Sequence, residues 1–419
     1  MMLSALFLIA LMTGPGDAPN PIAESRRLQS EAMKAYRAKD HARFLERISG
    51  ASALRPSHPS LLYYKAAALA LNGRTDEAIA VLERVASMGT AMSPAKEPEF
   101  APLAESPRFA AVLRVFESNR APQGAGKVVA GVEIPGIIPE GLAHDPRRGI
   151  FYLSSVRHGD IWRITGKGAT RLVKGYPLAL MGLALDPRRN VLWAAAAGLR
   201  QREGVTAENM DRGALLEIDA ASGKIISETV LSSEGRHFFG DVALSSRGDV
   251  VVSDGGSQNV YRLERGKLVP ISPRTFTSVQ GMAWSPDNRF LYVSDYSEGL
   301  VRIDVASGGV KAIVEPASVT LLGVDGIYMA GARTLVAVQN GTDPNRVIRI
   351  DLTAAGDVAD VRTLAANLPG LDSPTLGVVS GKSFYVIGNG QWDLFADDGA
   401  VKDAAKLRPA EVLEIEIDR

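Results

Sequence analysis

One phrase recurs six times between about Gly131 and Arg419, and it constrains the fold more than any other feature of the chain. Its first copy runs Glu140-Gly141-Leu142-Ala143, a turn at Asp145-Pro146-Arg147-Arg148-Gly149, the alternating strand Ile150–Ser154, and a second strand Asp160–Ile164. The later copies open on Met181, Gly240, Gln280, Asp325 and Thr375. Period-two alternation bounded by Asp, Pro, Gly and Asn clusters reads as strands and tight turns. A spacing of roughly 40 to 60 residues is that of a propeller blade and too long for a solenoid turn. The expected fold is mainly β, a six-bladed β-propeller spanning 127–419. Lys127–Glu133 is a spare strand placed to pair outside Glu411–Ile417 and so fasten the ring. The 41 glycines suit a fold with many tight turns.

Upstream the period is helical. Pro59–Leu71, an Asn72-Gly73 stop and Asp76–Val85 read as a helix pair with Ala78, Leu82 and Val85 on one face. A weaker pair covers about 24–54. Phe100, Leu103, Phe109, Val112, Leu113 and Phe116 read as the apolar side of a capping helix. Residues 22–118 are thus expected to form an N-terminal all-α, tetratricopeptide-like domain, with 119–126 as linker. One or two such repeats make no long peptide groove, so the expected role is packing or docking of a protein partner.

Leu3–Met12 is an apolar run followed by small residues, the plan of a short signal-peptide core. Residues 1–20 are therefore expected to be a leader, either a signal peptide or a disordered segment, and the protein to be exported, periplasmic or secreted. The run is too short to span a bilayer, so no membrane span is expected after its removal.

Charge and composition exclude several chemistries. Forty-seven basic residues balance forty-seven acidic ones with no basic block, which disfavours nucleic acid as a partner. The absence of Cys excludes disulfides, zinc thiolates and a cysteine nucleophile. No Gly-x-Ser-x-Gly elbow, P-loop or HExxH motif is present.

The residues opening the six phrases line one end of the channel: Glu140, Met181, Gly240, Gln280, Asp325 and Thr375. With Asp241 beside Gly240, they form an oxygen-rich set suited to a hard divalent cation such as Ca²⁺, and poorly suited to zinc. The candidate metal ligands are Glu140, Asp241, Gln280 and Asp325, and the ligand expected at the mouth is a small molecule.

Pro139-Glu140-Gly141-Leu142, Gln280 through Asp287, Leu291 through Asp295 and Val324-Asp325-Gly326-Ile327 resemble the SMP-30/gluconolactonase (regucalcin-like) propellers over about 280 residues. The resemblance implies a divalent metal held by a Glu of the first phrase, Asn residues of the third and fourth, and an Asp of the fifth. It also implies that this metal polarises a lactone or ester carbonyl for attack by water. Glu140 matches the Glu, and Asp325 matches the Asp, which would serve as ligand and general base. Gln280 and Gly240 depart from the pattern, and Asp241 is the candidate substitute.

His237, on the loop entering the third phrase, is the second catalytic candidate, as a base or substrate contact, against the plainer reading of a loop histidine. Asp254 and Asp295, each closing a Val-Ser-Asp strand, read as turn caps. Trp162, Trp193 and Trp284 read as packing residues, Trp392 as a rim contact, and the insertion at about 198–212 as a lid. Two functions remain open: a metal-dependent lactone or ester hydrolase, and a propeller that binds a ligand or partner without turnover.

Overall fold

The computed structural model describes residues 21–231 and 235–418. The expected leader, 1–20, lies outside the described residues. The chain divides into two compact units, one of residues through Glu83 with Ala95–Phe109, the other of Arg84–Pro94 with Ala110–Arg419.

Among the described residues five α-helices precede the propeller: α1 Pro21–Arg37, α2 His41–Leu54, α3 Pro59–Leu71, α4 Thr75–Ser87 and α5 Pro107–Arg120. Asp40 caps α2 by accepting the Arg43 amide at 3.0 Å. Asn72 ends α3, its side-chain amide donating to Ala68 O and His41 O at 2.8 Å each, and Gly73 follows at φ +75°. Ala32, Ala35, Phe44, Ile48, Ala51, Leu61 and Ala68 from α1, α2 and α3 share one core. The small residues let the helices approach, and Ser25 of α1 donates to Ala51 O of α2 at 2.9 Å. The expected single capping helix is two elements. Phe100 and Leu103 lie on the 3-10 turn Pro98–Leu103, while Phe109, Val112 and Phe116 lie on α5. Pro102 and Pro107 deny a continuous helix its amide donors.

The six blades are antiparallel sheets. Their innermost strands are Pro139–Asp145, Ala179–Asp186, Phe239–Leu244, Val279–Trp284, Val324–Gly331 and Gly377–Ser380. Blade six is completed by Lys127–Val132, which pairs antiparallel with Ala410–Glu416. The predicted linker is partly strand, since Gln123–Gly124 adds to the outer edge of blade five beside Ala365 and Ala366. The Asp-Pro-Arg-Arg turns of blades one and two end in left-handed residues, Gly149 at φ +63° and Asn190 at φ +55°. Between blades the sheets bury aliphatic faces. Trp162 packs with Leu142, Leu153, Val132 and Val412, sealing blade one against blade six. Trp193 and Trp284 occupy the corresponding interiors and are also buried.

Within the propeller unit, Arg346 is 4% exposed and has no carboxylate partner among the described residues. Its guanidinium donates to Gln339 Oε1 at 2.7 Å, Met88 O at 2.9 Å and Gly89 O at 3.2 Å, fastening the segment after α4 to blade five.

Candidate active site at the channel mouth

The innermost strands of blades one to five break register at the same place. Pro139 pairs with Ser155 but Leu142 with Leu153, so one extra residue is inserted at Glu140-Gly141. The same bulge falls at Met181-Gly182, Gly240-Asp241, Gln280-Gly281 and Asp325-Gly326. A bulge bends its strand and re-aims a side chain, and here it falls on each phrase opener. The glycine beside the opener lets neighbouring strands close up. A Cβ on Gly141 would stand 2.2 Å from Met181 O, and one on Gly281 2.6 Å from Asp325 O. Serines of the second strands staple the bulges: Ser154 Oγ accepts the Gly141 amide at 2.7 Å and donates to Met181 O at 2.6 Å. Ser294 likewise donates to Val324 O at 2.5 Å.

Three acids lie within electrostatic reach of one another here. Glu140 and Asp241 are buried and Asp325 is half-buried. Burial, with the charge of Asp325 second, pushes Glu140 up to about 8, against the Trp392 hydrogen bond. Burial likewise lifts Asp241 to about 7 and Asp325 to about 6. Among the described residues no Lys or Arg pairs with any of them. Their partners are neutral. Trp392 Nε1 donates to Glu140 Oε2 at 2.7 Å, and Asn340 Nδ2 donates to Asp325 Oδ2 at 2.8 Å. Tyr296 in turn donates to Asn340 Oδ1 at 3.1 Å. Burial and all three acids hold the Tyr328 hydroxyl far above its ordinary range, and that hydroxyl accepts the Gly377 amide at 2.8 Å.

The remaining openers divide. Asp241 takes the place that glycine holds in blades one, two, four and five, and its carboxylate lies in the wall. Oδ1 accepts the Val242 amide at 2.8 Å, the Met282 amide also serves the group, and a Cβ on Gly182 would stand 2.3 Å from Oδ1. Gln280 directs its amide to Ser278 Oγ at 3.5 Å. Thr375 donates to Glu140 O at 3.3 Å, joining blade six to blade one, and Met181 packs in an apolar cluster.

His237 is buried, and its Nδ1 lies 2.6 Å from Asp254 Oδ2. Asp254 also accepts the Phe238 and Gly256 amides at 2.7 and 2.8 Å and the Ser257 hydroxyl at 2.7 Å. It is both the expected turn cap and the anchor of the imidazole. Asp295 caps its own turn through the Ser297 amide and also accepts the Thr277 amide of the segment entering blade four. The insertion at 198–212 and the excursion within blade six border a cleft of about 380 Å³, lined by Arg157, Arg200, Arg202, Glu203 and Asp398.

Asn340 and Tyr296 escape the sequence reading. The signal was the blade-five departure from Val-Ser-Asp to Ala337-Val338-Gln339. Gln339 takes the register position of the capping aspartates and donates to Thr320 O and Leu322 O, at 2.9 and 2.8 Å, while Asn340 lies one residue beyond.

Residues 138–374 match the family model of the SMP-30/gluconolactonase/LRE-like region. The chain belongs to this family. Similar solved structures include a luciferin-regenerating enzyme, at 13% identity and TM-score 0.49, covering 71% of this chain and 96% of the other. Regucalcin of Agrobacterium tumefaciens, described as a calcium-binding protein, matches at 16% identity and TM-score 0.48, over 69% of this chain and 95% of its own. A gluconolactonase of Xanthomonas campestris matches at 15% identity and TM-score 0.45, covering 69% and 87%. No curated protein matches the sequence.

The donor set at the mouth of this SMP-30/gluconolactonase-type propeller fits a hard divalent cation. Glu140, buried, and Asp325, half-buried, are oxygen donors without a counter-charge among the described residues, and each has one oxygen committed to a neutral donor. Among the described residues no three acidic or imidazole side chains are gathered tightly enough to hold one ion unaided. Two carboxylates, neutral oxygens and solvent or substrate would make up the shell.

Proposed function

We propose that the protein is a divalent-cation-dependent hydrolase of a lactone or small ester, acting at the channel mouth. The observation that carries this reading is the pair of acids, buried Glu140 and half-buried Asp325, with which no Lys or Arg pairs among the described residues. Membership of the family supports it. Glu140 and Asp325 would hold the cation, calcium first, with Gln280 as a neutral oxygen donor after a change of rotamer. When bound, the cation would polarise the carbonyl as a Lewis acid.

The protein's own groups then have distinct tasks. Asn340 fixes Oδ2 of Asp325 and leaves Oδ1 to accept the proton of the attacking water. Burial lifts Asp325 to about 6, closer to neutrality than an exposed aspartate and so better matched to a base that must return its proton. Water oxygen joins the acyl carbon, the ring or ester C–O bond breaks, and the proton passes from Asp325 to the departing alkoxide. A hydroxy acid, or an acid and an alcohol, is released. His237, oriented by Asp254, is proposed as a substrate contact at the same rim. Export remains the proposed destination, and docking of a protein partner the proposed role of the helices.

A second reading, binding without turnover, is favoured by one feature: Asp241 gives its oxygens to backbone amides and Gly240 offers no side chain. Calcium, manganese and zinc titrations of chelator-treated protein, read by thermal denaturation, separate the two. A rise in Tm followed by cation-dependent turnover of a lactone or aryl ester is the expected result; no response to any cation rejects the hydrolase.

A further inference from the structure

Of the four tryptophans, Trp162, Trp193 and Trp284 bury their indole nitrogens without a hydrogen-bond partner among the described residues. Trp392 alone gives its N–H to another side chain, the Glu140 carboxylate. The two residues are 252 positions apart, and the contact exists only because of how the excursion from Gly388 to Pro409 is built.

That excursion interrupts blade six between its strands Ser383–Ile387 and Ala410–Glu416, where a hairpin would need only a few residues. Its base is clamped by buried amides. Asn389 Nδ2 donates to Pro409 O at 2.7 Å, and its Oδ1 accepts the Glu411 amide at 2.9 Å. Gln391 Oε1 accepts the Arg408 amide at 2.7 Å, and Nε2 donates to Arg408 O at 3.1 Å. Gly390 donates to Ser373 O at 2.6 Å, in a space where a Cβ would meet Thr375 Cγ2 at 2.4 Å. Gln391, immediately before the tryptophan, is left-handed at φ +61°. A non-glycine residue persists there when its surroundings over-determine it, and both ends of its amide are held. The indole then packs against the apolar cluster that contains Met181, Phe239 and Phe395.

We propose that Trp392 is a positioning residue for the cation site: its indole N–H holds Oε2 of Glu140 and presents Oε1 as the ligand. The inference rests on the proposed cation-dependent reading of the mouth. Ligating carboxylates need such outer partners to fix their orientation, and losing one costs about 10- to 100-fold in metal affinity. Phe at this position keeps an apolar aromatic ring, smaller than the indole by its pyrrole portion, and removes the donor.

The test is a titration of the chelator-treated full chain with calcium or manganese chloride, read by thermal denaturation, on wild type and Trp392→Phe. The indole N–H cross-peaks of ¹⁵N-labelled protein are followed in parallel. The Trp392 peak, identified by its loss in Trp392→Phe, moves in Glu140→Gln and moves again in wild type as cation is added. Trp392→Phe weakens cation binding about 10- to 100-fold. If Trp392→Phe binds either cation as tightly as wild type, the positioning role is overturned while the hydrolase reading stands. If neither cation acts on wild type, both fall. A Trp392 peak indifferent to Glu140→Gln overturns the pairing itself, whatever the cations do.

Discussion

Asn340 donates from Nδ2 both to Asp325 Oδ2 at 2.8 Å and to Pro374 O at 3.0 Å, so one amide ties an acid of blade five to the entry of blade six. Asn340→Ala removes the hydrogen bond that opposes burial at Asp325 and lets the carboxyl turn. The expected outcome is a loss of about tenfold in calcium affinity by calorimetric titration, with the far-ultraviolet circular dichroism of wild type. Unchanged affinity would remove Asn340 from the site.

Glu140→Ala and Asp325→Ala should each abolish cation-induced stabilisation. A ligand present at 100 times its Kd stabilises the native state by about 2.7 kcal/mol, so the wild-type rise in Tm at saturating calcium should be absent from both variants. Asp241→Asn, whose wall position is served by backbone amides, should keep most of that rise.

The acids also set a pH dependence in chelator-treated protein. Glu140, Asp241 and Asp325 have native values raised to about 8, 7 and 6 from 4.5, 3.8 and 3.8. Between the unfolded and folded values the native state binds more protons than the unfolded chain. Stability is therefore full below about pH 4 as far as these groups are concerned, and falls as pH rises from about 4 to 8, by about 1 kcal/mol per pH unit for each acid in transition. Denaturant midpoints at pH 5 and pH 8 measure it. Glu140→Gln should flatten the profile, and calcium should restore stability at the alkaline end. Tyr296 and Tyr328, which face the same acids, are held above their ordinary values and stay neutral throughout.

Burial pulls Arg346 down to about 10, with no carboxylate among the described residues to hold it. Arg346→Met would leave Gln339 Oε1, Met88 O and Gly89 O without their donor. A destabilisation of about 3 kcal/mol is expected from urea unfolding, and Arg346→Lys should recover little of it because a point charge cannot serve three divergent acceptors.

Gly182→Ala tests the closeness of the inner strands. The added methyl would stand 2.3 Å from Asp241 Oδ1 and 2.7 Å from its Cα, so blades two and three must part. A loss of about 2 to 3 kcal/mol is expected in thermal or urea unfolding, against little for Gly149→Asn at an open left-handed turn.

The blades were legible because alternation and turn chemistry repeat, and repetition averages out local ambiguity. Glu140 and Asp325 were legible as openers for the same reason. Asp241 was visible as an acid but not as a wall residue, because a one-residue bulge exchanges channel and wall without altering the apolar pattern. Asn340 was hidden by Gln339, which fills the slot of a capping aspartate with a group that donates where aspartate accepts. Trp392 was legible as a rim residue, while its partner was not, since the excursion carrying it has no period to read. The break in the expected capping helix was written in Pro102 and Pro107, and the apolar spacing overrode them.

The pairing of Lys127–Val132 with Ala410–Glu416 has a consequence for biosynthesis. A ribosome delivers the first of these strands nearly 300 residues before the second. Throughout that interval the nascent chain carries an unmatched edge bearing Val128 and Val129, which stay solvent-facing even when the ring is shut. Translation must finish before the circle can, so a chain stalled or clipped ahead of Ala410 is a natural client for chaperones and proteases.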